Sequence, residues 1–262
     1  MMHQNKVRKA YDERIPCFGI YVKTPSPKTI EFLGAAGMDF VRIDMEHPMM
    51  NIQTVHSMIH TALAVGVTPF VRASSAQDKN IDAVLDMGAL GIIIPRVTSK
   101  QDVQAAVDIV KPAPYGKRKV NPSGFSGGYG KADWEEHMAW AERNIILSVQ
   151  VETKSGVDAI DEIASVPGLD MVQSGRGDLS YQYGVPGQQH HPLVVEAENK
   201  VVEAGLRAQK MVSVQYYPLR DESHVDSVLQ FAKRGVYCLS IGGDRDMVVV
   251  YRQLLKRLRT GG

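Results

Sequence analysis

Eight short apolar runs, each followed by a segment of helical periodicity, leave this chain few ways to fold. The strand-like runs lie near residues 16–23, 39–45, 68–73, 91–97, 144–152, 170–175, 210–216 and 236–242. Helical patterns occupy 26–37, 51–65, 77–87, 99–110, 154–164, 193–208, 221–233 and 244–259. Gly37, Gly66, Gly88 and Gly168 fall where helices should end, and Asp39 and Asp170 open the turn into the next strand. Apolar strands alternating with amphipathic helices predict a parallel sheet covered by helices. Eight such units favour a closed (β/α)8 TIM barrel. No glycine fingerprint follows the first strand, which counts against an open dinucleotide-binding sheet. Without a linker or shift in composition, residues 1–262 are expected to form a single domain.

Thirty Lys and Arg against 29 Asp and Glu leave a formal charge of +1, which argues against nucleic acid or a membrane surface as partner. No apolar stretch approaches a membrane span, and the first residues lack a signal-peptide core. A cytoplasmic location is expected. Cys17 and Cys238 fall in the first and last strands, which are neighbours in a closed barrel, and two buried, reduced thiols are expected rather than a bridge.

Charged residues stand where the apolar runs stop. Asp44 and His47 follow Phe40-Val-Arg-Ile43, Arg72 follows Pro69-Phe-Val71, Glu152 follows Ile145–Val151, and Asp178 follows Met171–Gly175. In a barrel of parallel strands these ends meet in one bowl. Glu152 and Asp178 suit a hard divalent cation such as Mg²⁺ or Mn²⁺, which takes one or two carboxylates and fills its remaining positions with water and substrate oxygens. Gln150 shares the inward face of its strand with Glu152. The competing reading of Asp178 is a helix N-cap. Asp44 bonded to one ring nitrogen of His47 would fix the tautomer and make the other a general base. Arg72 offers a planar, charged fork to a carboxylate or a developing enolate.

Other signals read as ordinary. His56 and His60 form an i, i+4 pair without an evident third zinc ligand, His190-His191 precede a helix, and Arg176-Gly-Asp178 matches an adhesion tripeptide by coincidence. The long irregular stretch from Lys111 to Lys131 is expected to be a mobile flap at the rim of the bowl. Among lysines only Lys23 follows a strand in a position to form a Schiff base.

The same residues resemble the HpcH/HpaI aldolase family of phosphoenolpyruvate/pyruvate-binding barrels. The similarity runs from about Gly19 to Leu258. It rests on Ile-Asp-Met-Glu-His at 43–47, Val71-Arg72, Leu85-Asp-Met-Gly88, Ile94-Pro95, Tyr115-Gly-Lys-Arg118, Val149-Gln-Val-Glu-Thr153 and Gly177-Asp-Leu-Ser180. The resemblance implies a class II aldolase that cleaves a 4-hydroxy-2-oxo acid to pyruvate and an aldehyde. It implies a divalent metal (Mg, Mn or Co) on Glu152 and Asp178, and His47 with Asp44 as the catalytic dyad. Arg72 would lie on the pyruvyl oxygens, with Gln150, Gly177 and Asp178 also toward substrate. Asp86 would reach the dyad of a neighbouring subunit, and the eighth helix, 244–259, would be exchanged within a homo-oligomer, a trimer or hexamer. Oxaloacetate decarboxylation, or acyl-CoA lysis of the citramalyl/malyl type, would use the same site, and a non-catalytic barrel that binds an oxo acid is the remaining reading. The chain departs from the family at Arg96, Lys119 and Arg176. These extra cations are expected to line the mouth and favour an aldehyde that carries a carboxylate.

Overall fold

Each apolar run becomes a strand, and the strands pair parallel in sequence order until the last closes on the first. They are β1 (Cys17–Val22), β2 (Phe40–Asp44), β3 (Thr68–Arg72), β4 (Gly91–Ile94), β5 (Ile146–Val151), β6 (Met171–Ser174), β7 (Met211–Gln215) and β8 (Cys238–Gly243). The structure, a computed structural model, describes residues 2–47, 50–215 and 222–260. The expected end of the seventh strand at 216 and helix start at 221 lie outside the described residues, as do residues 1, 261 and 262.

The helices are α1 (Lys6–Glu13), α2 (Pro27–Ala35), α3 (Ile52–Ala64), α4 (Ile81–Asp86), α5 (Lys100–Val110) and α6 (Trp134–Asn144). They continue with α7 (Lys154–Asp158), α8 (Ile160–Ala164), α9 (Arg176–Gln182), α10 (Pro192–Arg207), α11 (Glu222–Lys233) and α12 (Asp246–Thr260). Gly37, Gly66, Gly88 and Gly168 all have positive φ, from 74° to 107°, which lets each chain segment turn out of its helix. Asp39 and Asp170 fasten the strand starts beyond them: Asp39 Oδ2 accepts from the Phe18 N–H at 2.9 Å, and Asp170 Oδ2 from the Leu147 N–H at 2.8 Å. Cys17 and Cys238 are opposite one another in the β1–β8 register, both buried and both free.

Three helices, α1, α6 and the short α9, escape the apolar pattern. Helix α1 is mostly polar and buries only Val7 and Ala10. That pair completes a cluster with Phe40, Phe70, Ile146 and Met171 at the N-terminal end of the strands, so α1 closes the barrel floor. Helix α6 starts at Asp133, whose side chain accepts from the Glu136 N–H. The expected single helix at 154–164 is two short ones that meet at Ala159.

The stretch after Lys111 is not a flap over the bowl. It follows α5, not a strand, and therefore lies at the opposite end of the barrel. There Lys111 Nζ reaches the Ile145 carbonyl at 2.5 Å and Asp170 at 2.6 Å, and the Phe125 ring lies 4.3 Å from His60. Helix α12 leaves Met247, Val248, Tyr251, Leu254, Leu255 and Leu258 exposed.

Asn5 ties α1 to the floor. Its Oδ1 accepts from the N–H groups of Val7 and Arg8, and its Nδ2 donates to the carbonyls of Leu90 and Asn144, each at 2.8 Å. Asn5→Ala removes a helix cap and leaves buried carbonyls unpaired, an expected loss of about 2–4 kcal/mol and a melting midpoint lower by roughly 5–10 °C. An unchanged midpoint in a calorimetric scan would mean that α1 melts apart from the barrel.

Candidate active site

The register of β2 and β3 sets Asp44 opposite Arg72 at the C-terminal ends of the strands. Asp44 Oδ1 accepts from Arg72 Nε at 3.0 Å and Oδ2 from Nη2 at 2.5 Å, a bidentate pair with both residues buried. Burial alone would raise the Asp44 carboxyl. The hydrogen bonds and charge of Arg72, with the Glu46 N–H and His47, hold it below the usual range. For Arg72 the balance is the reverse. Burial disfavours its charge, but Tyr21, Asp44 and Glu46 outweigh that and keep it firmly protonated. Its guanidinium lies 4.8 Å from the Tyr21 ring centroid, 2.9 Å from Glu46 Oε2 and 3.4 Å from Gln150 Oε1.

His47 stands in the turn beyond β2 with its side chain 53% exposed. Its Nδ1 is 3.2 Å from Asp44 Oδ2 and 2.7 Å from Arg72 Nη2. The two partners demand opposite tautomers, because Asp44 can only accept and Arg72 can only donate. The shorter contact is with Arg72, which puts the ring proton on Nε2 in this arrangement.

Glu152 follows β5 and is 2% exposed. Its Oε1 accepts from the Arg96 N–H at 3.0 Å, and its Oε2 from Gln150 Nε2 at 2.7 Å. Arg96 holds a left-handed backbone, φ 54°, unusual for a residue with a side chain. Gly175 supplies the other wall, since a Cβ there would stand 2.6 Å from Glu152 Oε2. Among the described residues no cation pairs with Glu152. Burial first, then the charges of Asp178 and Glu46, push its carboxyl up to about 8. Asp178 lies in the first turn of α9, whose N-cap is Gly175, so it does not cap the helix, and it faces the cavity.

This arrangement fits a divalent cation beside Glu152 and Asp178. Two acids converge there without a counter-charge, and Gly175 leaves room for the carboxylate. Asp44, Glu46 and His47 also bring ligand atoms within 4.8 Å of one another. Arg72 already sits against both of those carboxylates, which makes that group the poorer cation site. The cavity, about 320 Å³, is lined by Lys23, His47, Arg72, Gln150, Gly177 and Asp178, with Gln189 and Gln215 beside them. A larger cavity of about 710 Å³ at the barrel floor, among Arg8, Lys111, Asp170 and Lys210, is remote from these groups.

Of the residues singled out in the sequence, Asp86 does not join this site. It ends α4 at the other end of the barrel, where Arg118 Nη2 donates to it at 2.8 Å. The three expected mouth cations do not act together. Arg176 does line the cavity, but it is buried against Glu198, with Nε donating at 2.8 Å, and Ser174 donates to the other oxygen of Glu198 at 2.6 Å. Lys119 is exposed and outside the cavity lining, and Arg96 Nη1 leans toward Glu46 at 3.5 Å. The buried Arg176 also removes the adhesion-motif reading. His60 Nε2 meets the Met87 carbonyl at 3.1 Å, and no third ligand joins His56 and His60 among the described residues. Sequence reasoning left Glu46, Tyr21, Glu198, Gln189 and Gln215 unassigned. Glu46 had a signal, since it lies between Asp44 and His47. The others depend on barrel closure.

Residues 17–244 match the profile of the family described as HpcH/HpaI aldolase/citrate lyase. A hydroxypyruvate/pyruvate aldolase of Rhizorhabdus wittichii is 32% identical over 200 residues, 76% of each chain. The crystal structure of an HpcH/HpaI aldolase from Desulfitobacterium hafniense superposes with a TM-score of 0.87 at 26% identity, over 97% of this chain and 95% of that one. That of citrate synthase SbnG gives 0.83 at 32% identity, over 97% and 96%.

A pH test follows from Glu152. With its folded value raised from 4.5 to about 8, the metal-free folded state binds the extra proton across that window. Stability therefore falls as pH rises through it, by at most about 1.4 kcal/mol per pH unit. Melting curves should show this fall, Glu152→Gln should flatten it, and a divalent cation should stabilise more at pH 8 than at pH 5. Metal stabilisation that is equal at both pH values would remove Glu152 as a ligand.

Proposed function

Because the chain belongs to the HpcH/HpaI aldolase/citrate lyase family, we propose that it is a divalent-metal-dependent aldolase cleaving a 4-hydroxy-2-oxo acid to pyruvate and an aldehyde. The carrying observation is the buried Glu152, which has no ion-pair partner among the described residues and feels the charge of Asp178, a residue of the cavity that Arg72 and His47 also line. The hydroxypyruvate/pyruvate aldolase relative supports the oxo-acid half of the substrate. A non-catalytic barrel has no use for a half-exposed imidazole beside a buried carboxylate and an acid pair.

Glu152 and Asp178 hold the cation, Mg²⁺, Mn²⁺ or Co²⁺, which when bound supplies Lewis acidity toward the 2-oxo oxygen. Gln150 spans the site, donating to Glu152 and accepting from Arg72, so it holds the two charged groups in fixed relation. The Gly177 backbone borders the pyruvyl end of the cavity. On substrate arrival Arg72 turns one N–H from His47 to the 2-oxo oxygen. The half-exposed ring gives its Nε2 proton to water and takes one from water at Nδ1, which then donates to Asp44 and leaves Nε2 as base. His47 takes the 4-hydroxyl proton, the C3–C4 bond breaks, and its electron pair passes into the enolate of pyruvate as the aldehyde leaves. Arg72 stabilises the negative oxygen, and return of a proton to C3 gives pyruvate.

Assembly is the second part of this reading. The exposed apolar residues of α12 support its exchange between subunits of a trimer or hexamer. Asp86, held by Arg118 on the far side of the barrel, then serves the dyad of a neighbour. Two free, buried cysteines agree with a cytoplasmic setting. The likeness to citrate synthase SbnG favours one alternative, in which the same site forms or breaks a carbon–carbon bond of an acyl-CoA. Oxaloacetate decarboxylation needs the same enolate and is an expected side activity.

Chelation should abolish aldol cleavage, and readdition of Mg²⁺, Mn²⁺ or Co²⁺ should restore it, whereas Glu152→Ala and Asp178→Ala should not recover. His47→Ala should lower kcat by about 10²- to 10⁴-fold with a much smaller change in substrate affinity. Full cleavage after exhaustive chelation defeats the metal-dependent reading. Turnover of acetyl-CoA with oxaloacetate, and none of hydroxy-oxo acids, would select the citrate-forming alternative.

A further inference from the structure

The cations of the bowl are matched to acids pair by pair, with one exception among the described residues. Arg72 is shared by Asp44 and Glu46, Arg96 leans on Glu46, and Arg176 is buried against Glu198. Lys23 is different. Its nearest carboxylate oxygen among the described residues is Asp44 Oδ2, at 4.0 Å, and that oxygen already accepts from Arg72 at 2.5 Å. No hydrogen bond from Lys23 Nζ is present among the described residues. The side chain is 34% exposed and lines the cavity with Gln189 and Gln215.

Its backbone, by contrast, is held. The N–H groups of Lys23 and Thr24 donate to Asp244 Oδ2 at 3.1 and 2.7 Å, and Arg245 Nη2 donates to the Lys23 carbonyl at 3.2 Å. These bonds fasten the end of β1 to the loop after β8. The four-carbon stem can therefore move an ammonium through the cavity from a fixed root. Lys23 stands on the side of β1 and β2, next to Asp44 and near the imidazole of His47. Glu152 and Asp178 come from β5 and α9, across the barrel. A substrate whose oxo-acid end faces Glu152 and whose 4-hydroxyl faces His47 directs its aldehyde half toward Lys23.

We propose that Lys23 is the specificity-determining residue of this site, binding an anionic group, carboxylate or phosphate, on the aldehyde half of the substrate. This rests on the aldolase reading above. It moves the charge preference expected of Arg96, Lys119 and Arg176 to a residue whose one acidic neighbour, at 4.0 Å, is already held by Arg72. The flanking amides of Gln189 and Gln215 add neutral donors to the same oxygens.

The test is aldol addition to pyruvate by the metal-loaded enzyme, with succinic semialdehyde, glycolaldehyde phosphate and the uncharged butanal and glycolaldehyde as acceptors. Lys23→Met should lower the ratio of kcat/KM for the preferred anionic acceptor over its uncharged counterpart. The expected drop is about 10- to 100-fold, the worth of one charge-assisted hydrogen bond, and it should appear in KM for the acceptor. Lys23→Arg should keep most of the ratio, and Lys119→Ala all of it. Whichever anionic aldehyde shows the loss identifies carboxylate or phosphate as the group. An equal loss on every acceptor, with a raised KM for pyruvate, would place Lys23 on the oxo acid and overturn the proposal, as would a ratio that follows Lys119. Trapping of a pyruvate adduct on Lys23 by borohydride, with activity that survives chelation, would instead bring down the metal-dependent reading itself.

Discussion

Asp44 and Arg72 hold the site together. Each is buried, and each charge would be costly there without the other. Breaking such a pair by removing one partner typically costs about 3–5 kcal/mol. Their alignment is a product of strand register, since Asp44 pairs with Arg72 across β2 and β3. From that pair the rest of the polar interior is hung. Arg72 reaches Glu46, His47 and Gln150, and Gln150 in turn holds Glu152. Gln173 continues inward, donating to Gln150 and to the Tyr21 hydroxyl, each at 3.2 Å. The network ties together groups on five strands, β1, β2, β3, β5 and β6.

The two ends of the barrel solve different problems. The floor is closed by apolar side chains and by α1, with Lys111, Arg8 and Asp170 locking the strand starts. The opposite end keeps one buried acid out of ion pairs among the described residues. Glu152 receives only neutral donors, from Gln150 and the Arg96 backbone, and Gly175 leaves no side chain against it. Burial without an ion pair disfavours the charge of that carboxylate and pushes it up to about 8. Arg176 shows the converse arrangement. Its sequence position suggested a mouth cation, yet Glu198 on α10 neutralises it and turns it into part of the wall.

Local pattern was sufficient for much of this. Period and punctuation reveal all eight strands, because a buried parallel strand is an apolar run and several helix ends carry a glycine at positive φ. The acid and base positions at strand ends were also legible, since Asp44, Arg72 and Glu152 follow apolar runs and offer no gain in packing. Helix α1 was not, because it buries only Val7 and Ala10 and is otherwise so polar that no apolar stripe marks it. The stretch from Lys111 to Lys131 was read as a flap because glycine and proline announce irregular backbone but not which end of the barrel it occupies.

What the sequence by itself determined is the alternation, the closed barrel and the residue types at the ends of its strands. These depend on contacts within one turn or one strand, which period and capping report directly. Tertiary structure alone decided which charges cancel. Arg176 meets Glu198 22 residues away, Arg72 meets Asp44 28 residues away, and Lys23 is left with Asp44 at 4.0 Å. A charge on a side chain is visible in the sequence, but its free energy depends on burial and on the distance to its partner. Those are set only when the strands close and their ends are brought together.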